Sequence, residues 1–477
     1  MNTAMVAVFM IPFSGAALAF VAGRRAQVLG LITALATTIA VVVLTIHVLE
    51  DGAQIYLLGG WSTPLGINLN CDGLALLMLS LTAAVSLPTS IYAALYFANT
   101  PNSPHEAAFF WPLWLFLWGG LNCLFLSGDI FNVYLLLELT LLASVALAAL
   151  KSTHEALIAS YRYLIAATAA ALFYLLGVTL LYSEHSTLDF IGLAAAEPDG
   201  YLGMLALALL IGGLSLKSAL FPLHFWLPPA HSTAPTPVSA VLSALVVKAG
   251  FYVILRIWFE IYQLSIPDMG SQLMALLGSV AVVWGSWQAL RQKRLKMLIA
   301  YSTVAQMGYL FLVFPMAAGA GEESISVAVY QVISHGLSKA AMFLAAGVLM
   351  QSMDSDLLRD HRGAARSVPF AVAALVISGA GLAGIAPGGG AKGKMISMAL
   401  EHGQWWWAAV IGAGMLLAAA YTFVAVRNAF GGTGRKRRGS SGLWYMGATA
   451  LVMALAGMAA SFVSGEIQGV LAIRVGG

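Results

Sequence analysis

The sequence predicts an all-α membrane protein with about fourteen transmembrane helices. Apolar residues make up 60% of the 477 positions and charged residues only 9%, and the mean hydropathy is +0.87. This composition lies far outside that of a soluble domain. Apolar runs of roughly 18 residues or more, the length that crosses a bilayer, recur along the whole chain. The expected surroundings are the lipid bilayer, and the net charge of +3 gives no reason to expect a nucleic-acid partner.

The loops between these runs alternate in charge, which predicts the orientation of the chain. Every second loop carries Lys and Arg, as in the cluster at residues 291–296, which ends in Lys296, whereas the intervening loops carry acids such as Glu322 and Glu323. Basic loops stay in the cytoplasm. We therefore expect a multi-pass protein of the bacterial inner membrane with both termini on the outer side.

Two of the predicted spans are interrupted. The seventh, at residues 202–221, runs into a proline-rich stretch, and the twelfth, at residues 368–400, contains GIAPGGG. Paired broken helices mark the transport path in proteins built from inverted repeats. We predict helices 1–3 at residues 1–100, one five-helix repeat (helices 4–8) at residues 108–262, a second, inverted repeat (helices 9–13) at 270–430, and helix 14 at 443–464.

Several ionisable residues lie inside the predicted spans. A charge at the bilayer centre costs about 2.5–3.5 kcal/mol on insertion scales, so such groups normally face the bundle interior and often line ion pathways. Lysine suits proton transfer because desolvation and a nearby carboxylate shift its pKa in opposite directions. The residues are Glu138, Lys217, Lys248, His335, Lys339, Lys392 and Lys394. The alternative for any one of them is a static ion pair that joins two helices.

Histidines extend this set of candidates. His335 and Lys339 are four residues apart and share one face of a helix, so an imidazole and an amine could exchange protons there. His224 and His231 flank the first break and are candidate accessory groups on the cytoplasmic side. A purely structural role, with the ring hydrogen-bonded to backbone, is the alternative for each histidine.

Four stretches carry a resemblance to a known family. They are KSALFPLHFWLPPAHSTAPTPVSAVLSALVVKAGFYVILR, SGDIFNVYLLLELTLLASVAL, AYSTVAQMGYL and ISHGLSKAAMFLAAG. Together they resemble the antiporter-like membrane subunits of respiratory complex I and of Mrp-type cation/proton antiporters. A further stretch, LGGWSTPLGINLNCDGLALLML, looks most like the D-type membrane subunit of the Mrp antiporters and its relatives in membrane-bound hydrogenases.

The resemblance implies a role for each matching residue in a proton relay. It places the family's helix-5 glutamate at Glu138, its helix-7 lysine at Lys217 and its helix-8 lysine at Lys248. It places the helix-11 histidine and lysine at His335 and Lys339, and the terminal helix-12 lysine at Lys394. This chain departs from the family pattern GxPPxxGFxxK at the twelfth helix, where it reads GIAPGGGAKGK and adds Lys392. We expect Lys394 to end the relay, because its distance from the break matches the pattern, and Lys392 to be accessory.

The implied function is proton translocation within a multisubunit complex. The chain would serve an Mrp-type cation/proton antiporter or a complex I-like redox pump, beside other membrane subunits that include homologous antiporter-like ones. Whether Na⁺ or K⁺ moves in addition to protons stays open. One alternative is a proton-driven subunit that energises an attached soluble enzyme, as in inorganic-carbon uptake; another is an inert scaffold, which would not require buried titratable groups.

No cofactor or metal is expected in this chain. Cys71 and Cys123 are its two cysteines, and they form neither a CxxC motif nor a cluster with histidine, so the sequence offers no iron-sulfur or zinc site. It also carries no quinone or flavin motif. Any redox chemistry, such as that of an NADH:quinone oxidoreductase, would therefore belong to another subunit of the complex.

The alternation of loop charge leads to a topology prediction. Single cysteines introduced next to Arg437 and next to Glu322 should react with membrane-impermeant thiol reagents from opposite sides, the first only from the cytoplasm. Labelling of both from one side would contradict the predicted number of helices.

Overall fold

The computed structural model describes residues 2–61, 63, 66–99, 104–262, 268–385, 389–431, 441–462 and 464–474. Within these ranges the chain is mostly helical, with loops and turns between the helices and one two-stranded sheet, β1 (Gln54–Leu57) and β2 (Asn68–Cys71). The helices are α1 (Asn2–Ala22), α2 (Ala26–Asp51), α3 (Gly73–Asn99), α4 (Pro104–Leu126), α5 (Ile130–Ala149), α6 (His154–His185), α7 (Phe190–Ala196), α8 (Tyr201–Lys217), α9 (Leu227–Thr233), α10 (Thr236–Val241), α11 (Val247–Arg256), α12 (Asp268–Arg291), α13 (Leu295–Phe311), α14 (Ala317–Met353), α15 (Ala364–Ser367), α16 (Pro369–Leu382), α17 (Gly390–Glu401), α18 (Trp405–Val426), α19 (Ser441–Ala459) and α20 (Ser464–Leu471).

The membrane-spanning character of the fold is confirmed. Among the described residues, 12 helical stretches are long and apolar enough to cross a bilayer. The seventh and twelfth predicted spans instead contain the shorter apolar helices α8, of 17 residues, and α16, of 14 residues. Each of these short helices ends at a predicted break. The division into two inverted repeats stays a prediction.

Three spans form the centre of the bundle. The spans Thr236–Ile261 and Gly321–Met353 are each 94% buried within the chain, and Leu295–Met316 is 89% buried, whereas most of the other spans expose about half of their residues or more. In a bilayer those exposed faces meet lipid or another protein. The three central spans carry Lys248, His335 and Lys339, three of the ionisable residues that the sequence singled out.

The first break begins directly after α8. The helix ends at Lys217, four residues before the predicted end of the span, and Ala219 takes a left-handed backbone conformation with φ of 54°. A Schellman motif closes this end, because Leu220 N–H donates to Ser215 O at 3.0 Å and Ala219 N–H donates to Leu216 O at 3.1 Å. Pro222 follows it, and Pro228 and Pro229 lie in the first turn of α9, where their missing N–H groups are tolerated. The helix therefore stops within the predicted seventh span.

The second break is closed on one side by a Schellman motif. Gly384, with φ of 84°, follows the end of α16; its N–H donates to Gly381 O, and Ile385 N–H donates to Ala380 O, both at 3.0 Å. This pairing leaves the carbonyl of Leu382 free for other donors. Three of the residues that predicted the break, at 386–388, lie outside the described residues.

The span between Thr236 and Ile261 is irregular in a different way. A π-helical turn, Leu242–Val246, separates α10 from α11, and a second one, Ile257–Ile261, follows α11. π-Helical turns are rare and frequently occur at functional sites, because they displace backbone groups from the regular hydrogen-bond ladder. The sequence did not predict these turns.

A small β-hairpin is an exception to the all-α prediction. Strands β1 and β2 pair antiparallel with Gln54 opposite Cys71. Asn68 of β2 anchors the hairpin, because its Nδ2 donates to Asp189 Oδ1 at 2.7 Å and its carbonyl accepts from Gly128 N–H at 3.0 Å. The hairpin thus ties together the loops that precede α5 and α7.

The basic loops meet at one end of the bundle. Arg294, just before α13, pairs with Leu357, just after α14. Asn428, which follows α18, donates from Nδ2 to Leu358 O at 2.8 Å. The hairpin and Asp189 lie in loops of the other set, and Glu322, near the start of α14, forms an ion pair with Arg474 (3.1 Å). The last basic cluster, at residues 435–438, lies outside the described residues.

A buried arginine links α11 to α3. Arg256 donates to both carboxylate oxygens of Asp72, at 2.5 and 2.6 Å, and it also contacts Glu260. Its Nε donates to Tyr252 Oη at 3.0 Å, and that hydroxyl donates to Phe125 O of α4 at 2.7 Å. A guanidinium keeps its charge, so this cluster is a fixed joint between the first three helices and the helices that follow.

We predict that Asp72→Ala lowers the thermal midpoint of the solubilised protein more than Glu260→Gln does. Removing one partner of a buried ion pair costs about 3–5 kcal/mol. The Asp72 side chain is 10% exposed whereas that of Glu260 is 37% exposed, so water compensates better for the second loss. The midpoints are measured by tryptophan fluorescence on heating. Equal midpoints for the two variants would contradict the assignment of Asp72 as the more important partner of Arg256.

Candidate functional site

Glu138 and Lys217 form an ion pair between α5 and α8. Lys217 Nζ lies 3.0 Å from Glu138 Oε1 and 3.4 Å from Leu137 O. Lys217 is the last residue of α8, where the partial negative charge of a helix C-terminus favours a cation. The Lys217 side chain is 9% exposed and the Glu138 side chain is 26% exposed. The structure therefore brings together the two residues that the resemblance pairs.

Lys248 lies on α11, which packs against the end of α8. Its side chain is fully buried, and its Nζ donates to Ser243 O, a carbonyl of the first π-helical turn. Gly250 brings the two helices together: a Cβ at this position would stand 2.7 Å from Ser218 Oγ and 3.4 Å from Lys217 Cβ. A larger residue there would push α11 away from the end of α8.

His335 and Lys339 lie on α14 and are both fully buried. Lys339 Nζ donates to Ile299 O at 3.1 Å and to Ser302 Oγ, both on α13. Neither ring nitrogen of His335 has a hydrogen-bond partner among the described residues, so both are available to take up or release a proton. His335 is close enough to Lys248 and Lys339 to interact with their charges.

The two lysines of α17 differ sharply in environment. Lys392 is 1% exposed, its Nζ donates to the free carbonyl of Leu382, and it stands 4.4 Å from the ring centroid of Tyr309. Lys394 is exposed on the surface of the chain. The charges of Lys392 and Lys339 interact. The structure therefore buries Lys392, which was expected to be accessory, and exposes Lys394, which was expected to end the relay.

The histidines after the first break occupy two different positions. His224 is half-buried between the rings of Phe221 and Tyr301, with centroid distances of 5.5 and 6.5 Å. His231, on α9, is fully buried and stacks on Phe343 at 4.9 Å. Within the described part of the chain, neither ring nitrogen of His231 has a hydrogen-bond partner. His231 thus resembles His335, whereas His224 lies nearer the surface.

Sequence reasoning misassigned one buried lysine. The loop pattern groups Lys296 with a basic loop, but it is the second residue of α13 and is fully buried. Its Nζ donates to Ala234 O at 2.6 Å. The apolar run that follows, MLIAY, was the available sign that this lysine lies within a helix. Helix ends, however, are the least certain part of a sequence-based assignment.

Hydroxyl and amide groups fill the space between the amines, and sequence reasoning missed them as well. Ser243 Oγ and Thr303 Oγ1 lie 2.9 Å apart and connect the Lys248 turn with α13. Gln306 Nε2 donates to Leu382 O at 3.2 Å, the carbonyl that Lys392 also uses. Small polar residues within apolar runs give no distinctive sequence signal, because many of them simply bond their own helix.

Lys248, His335, Lys339 and Lys392 are close enough for their charges to interact, and α11, which carries Lys248, packs against the end of α8 near Lys217. These four residues and the Glu138–Lys217 pair are called the row below. In the part of the chain that the structure describes, no ion pair joins a carboxylate to the last three amines of this row. Carbonyls and hydroxyls solvate them instead. Such amines can exist with or without their proton, since no fixed counter-charge holds it. Among the described residues, no group of His, Cys, Asp and Glu is arranged to hold a metal ion.

The comparison with protein families identifies residues 127–418 as the transmembrane domain of the NADH:quinone oxidoreductase/Mrp antiporter family. NADH-quinone oxidoreductase subunit N of Desulforudis audaxviator is 35% identical over 381 residues, which are 79% of this chain and 75% of the relative. The D-type subunit of the Na⁺/H⁺ antiporter of Alkalihalophilus pseudofirmus is 29% identical over 398 residues, 81% of this chain and 78% of the relative.

Solved structures share the same fold. A chain of the Mrp complex from a Dietzia species superimposes with a TM-score of 0.88 at 23% identity and covers 99% of this chain and 97% of that one. A chain of an archaeal membrane-bound sulfane sulfur reductase gives 0.86 at 26% identity, covering 98% and 97%. A chain of Thermus thermophilus respiratory complex I gives 0.77 at 23% identity, covering 99% and 100%. The chain belongs to the family of transmembrane subunits shared by NADH:quinone oxidoreductases and Mrp antiporters.

Proposed function

We propose that this chain is an ion-translocating membrane subunit of a multisubunit complex and that it moves protons along its buried row of ionisable residues. One observation carries the proposal. Lys248, Lys339 and Lys392 are buried amines solvated by carbonyls and hydroxyls, and they continue from a single lysine–carboxylate pair. A set of static helix-joining contacts would pair each buried charge with an opposite one.

The Glu138–Lys217 pair acts as the switch in this proposal. While Glu138 Oε1 is 3.0 Å from Lys217 Nζ, the carboxylate stabilises the protonated amine. When the two side chains move apart, that stabilisation is lost and the proton can pass toward Lys248, whose helix packs against the end of α8. Glu138 is the more exposed of the two, so its carboxylate is the partner with more freedom to move.

The second half of the row receives and releases the proton. His335 passes it between Lys248 and Lys339, and its two unpartnered ring nitrogens allow uptake at one and release at the other. We assign the end of the row to Lys392, because its burial and its contact with Leu382 O continue the line from Lys339. Lys394 lies outside that line. His224 and His231 are accessory groups near the first break.

The relatives support a multisubunit setting. They are subunits of an Na⁺/H⁺ antiporter and of an NADH-quinone oxidoreductase, and we propose other membrane subunits, including homologous ones, as partners here. We place the chain in a bacterial inner membrane with both termini outside, since basic loops stay in the cytoplasm. The short helices α8 and α16 before the breaks support two inverted repeats over residues 108–262 and 270–430. Amines do not coordinate Na⁺ or K⁺, so any such ion would use a separate site.

The switch role predicts the behaviour of two variants. Glu138→Gln and Lys217→Ala should each abolish proton movement in proteoliposomes that contain the complete complex, because each removes one charge of the pair. Assembly, checked on native gels, should persist, since many helices hold the fold. Glu155→Gln, which removes an exposed carboxylate from α6, is the matched control. Normal transport by an assembled Glu138→Gln complex would exclude the switch.

The assignment of the terminal lysine makes a separate prediction. Lys392→Ala should reduce transport by roughly 100-fold, the low end of what a positioned proton-transferring group contributes. Lys394→Ala should leave the rate within a factor of about two, because an exposed side chain makes only weak interactions. The two variants remove the same charge from the same helix, so each controls for the other. The opposite ranking of the two initial rates would return the role to Lys394.

A further inference from the structure

Lys296 is a buried amine that the proposed row does not use. It lies at the end of the bundle where the basic loops meet, one residue after α13 begins. A lysine at a helix N-terminus faces the positive end of the helix dipole, and burial adds a desolvation cost. Both effects oppose a charge at this position.

The amine of Lys296 is aimed at the first break. Its acceptor, Ala234 O, lies just beyond α9 and is followed by Pro235, so this carbonyl belongs to a helix end without a regular partner. His231 is three residues earlier, on α9, and is close enough for its charge to interact with those of Lys296, Lys248 and Lys339. His231 therefore stands between Lys296 and the middle of the proposed row.

The other side of Lys296 leads to the surface. Its backbone N–H donates to Asp356 Oδ1 at 3.2 Å, and Leu295 N–H donates to Asp356 O at 2.8 Å. Asp356 is half-buried in the loop after α14. Other charged groups near this point are Lys151, Arg294 and His361, and Lys151 in turn faces Glu106.

The loop groups around Lys296 are suited to collecting protons. Burial raises the pKa of Asp356, with partial compensation by the backbone N–H and the charge of Lys296. Burial likewise lowers the pKa of Lys151, against the charge of Glu106. Both shifts move the pKa toward neutral pH. Asp356 is therefore protonated, and Lys151 deprotonated, for more of the time than a fully exposed group of the same type. Fixed surface charges would not show this behaviour.

We infer that Lys296 is the proton-loading group on the basic side of the protein and that it delivers protons through His231 to the buried row. The inference rests on the proposed function. In the transfer, the ammonium of Lys296 gives one proton to a neutral ring nitrogen of His231, which leaves a neutral amine and an imidazolium. His231 then passes the proton to Lys248 or Lys339. Water on the cytoplasmic side, with Asp356 at the mouth, reprotonates Lys296, so that no electrons move and no other reactant is needed.

The substitution Lys296→Arg separates proton loading from a structural role. Arginine keeps the positive charge and the hydrogen-bond donors but does not release its proton. If Lys296 loads protons, Lys296→Arg and Lys296→Ala should each lower the initial rate of transport by the complete complex roughly 100-fold. Lys293→Arg, three residues away on the exposed surface, should transport normally. Near-normal transport by assembled Lys296→Arg would show that only the charge is needed and would overturn the inference.

Chemical restoration of the amine provides a second test if Lys296→Ala fails to assemble. The background is a chain whose free thiols Cys71 and Cys123 are replaced by alanine. In this chain Lys296→Cys is treated with 2-aminoethyl methanethiosulfonate, which attaches an amine. A parallel sample is treated with methyl methanethiosulfonate, which attaches none. Recovery of transport with the first reagent only is the expected result; recovery with neither or with both contradicts proton loading. Glu138→Gln is measured in parallel. Normal transport by Glu138→Gln would refute the proposed function itself. Loss of transport in Glu138→Gln together with normal transport in Lys296→Arg would refute only the role of Lys296.

Discussion

The contact between a buried lysine amine and a backbone carbonyl is the interaction on which the rest of this structure depends. Lys248, Lys296 and Lys392 each donate to a carbonyl at a π-helical turn or a helix end. In the interior of a regular helix each carbonyl is already bonded to the N–H four residues on, so Lys339, which donates to Ile299 O inside α13, must share that carbonyl. Breaks and π-turns within the membrane are thus the means by which an all-helical bundle solvates cations without adding fixed negative charge.

The two halves of the row solvate their lysine amines differently. Lys217 has a carboxylate, Glu138, as its partner, and a carboxylate favours the protonated state of the amine. Lys339 has a carbonyl and the Ser302 hydroxyl, which are dipoles without net charge. The first half can therefore hold a proton firmly until the pair opens, whereas the second half holds one more weakly. In the proposed relay, opening of the pair removes the carboxylate that stabilises protonated Lys217, which favours release of its proton toward Lys248.

The structure separates charges that titrate from a charge that does not. Arg256 is held between Asp72 and Glu260 on the side of the hairpin, and an arginine in the lysine row would repel every proton that approached it. The arginine cluster instead joins α3 and α11 and leaves the centre of the bundle to lysine and histidine. Stability and the proposed proton movement thus rely on different residues of the same span, Thr236–Ile261.

The sequence by itself determined the membrane-spanning class of the fold, the places of the two breaks and, through the family resemblance, the pairing of Glu138 with Lys217. Apolar length, proline and glycine act locally, and a charge in an apolar run is conspicuous. The sequence did not predict the β-hairpin or the π-turns, because contacts with distant parts of the chain determine such short features. Only the tertiary structure decided which lysines face inward: the packing of α17 buries Lys392 rather than Lys394, and Lys296 lies inside α13. Spacing along the chain fixes the angle between two side chains on a helix, but the neighbouring helices decide which direction is the interior.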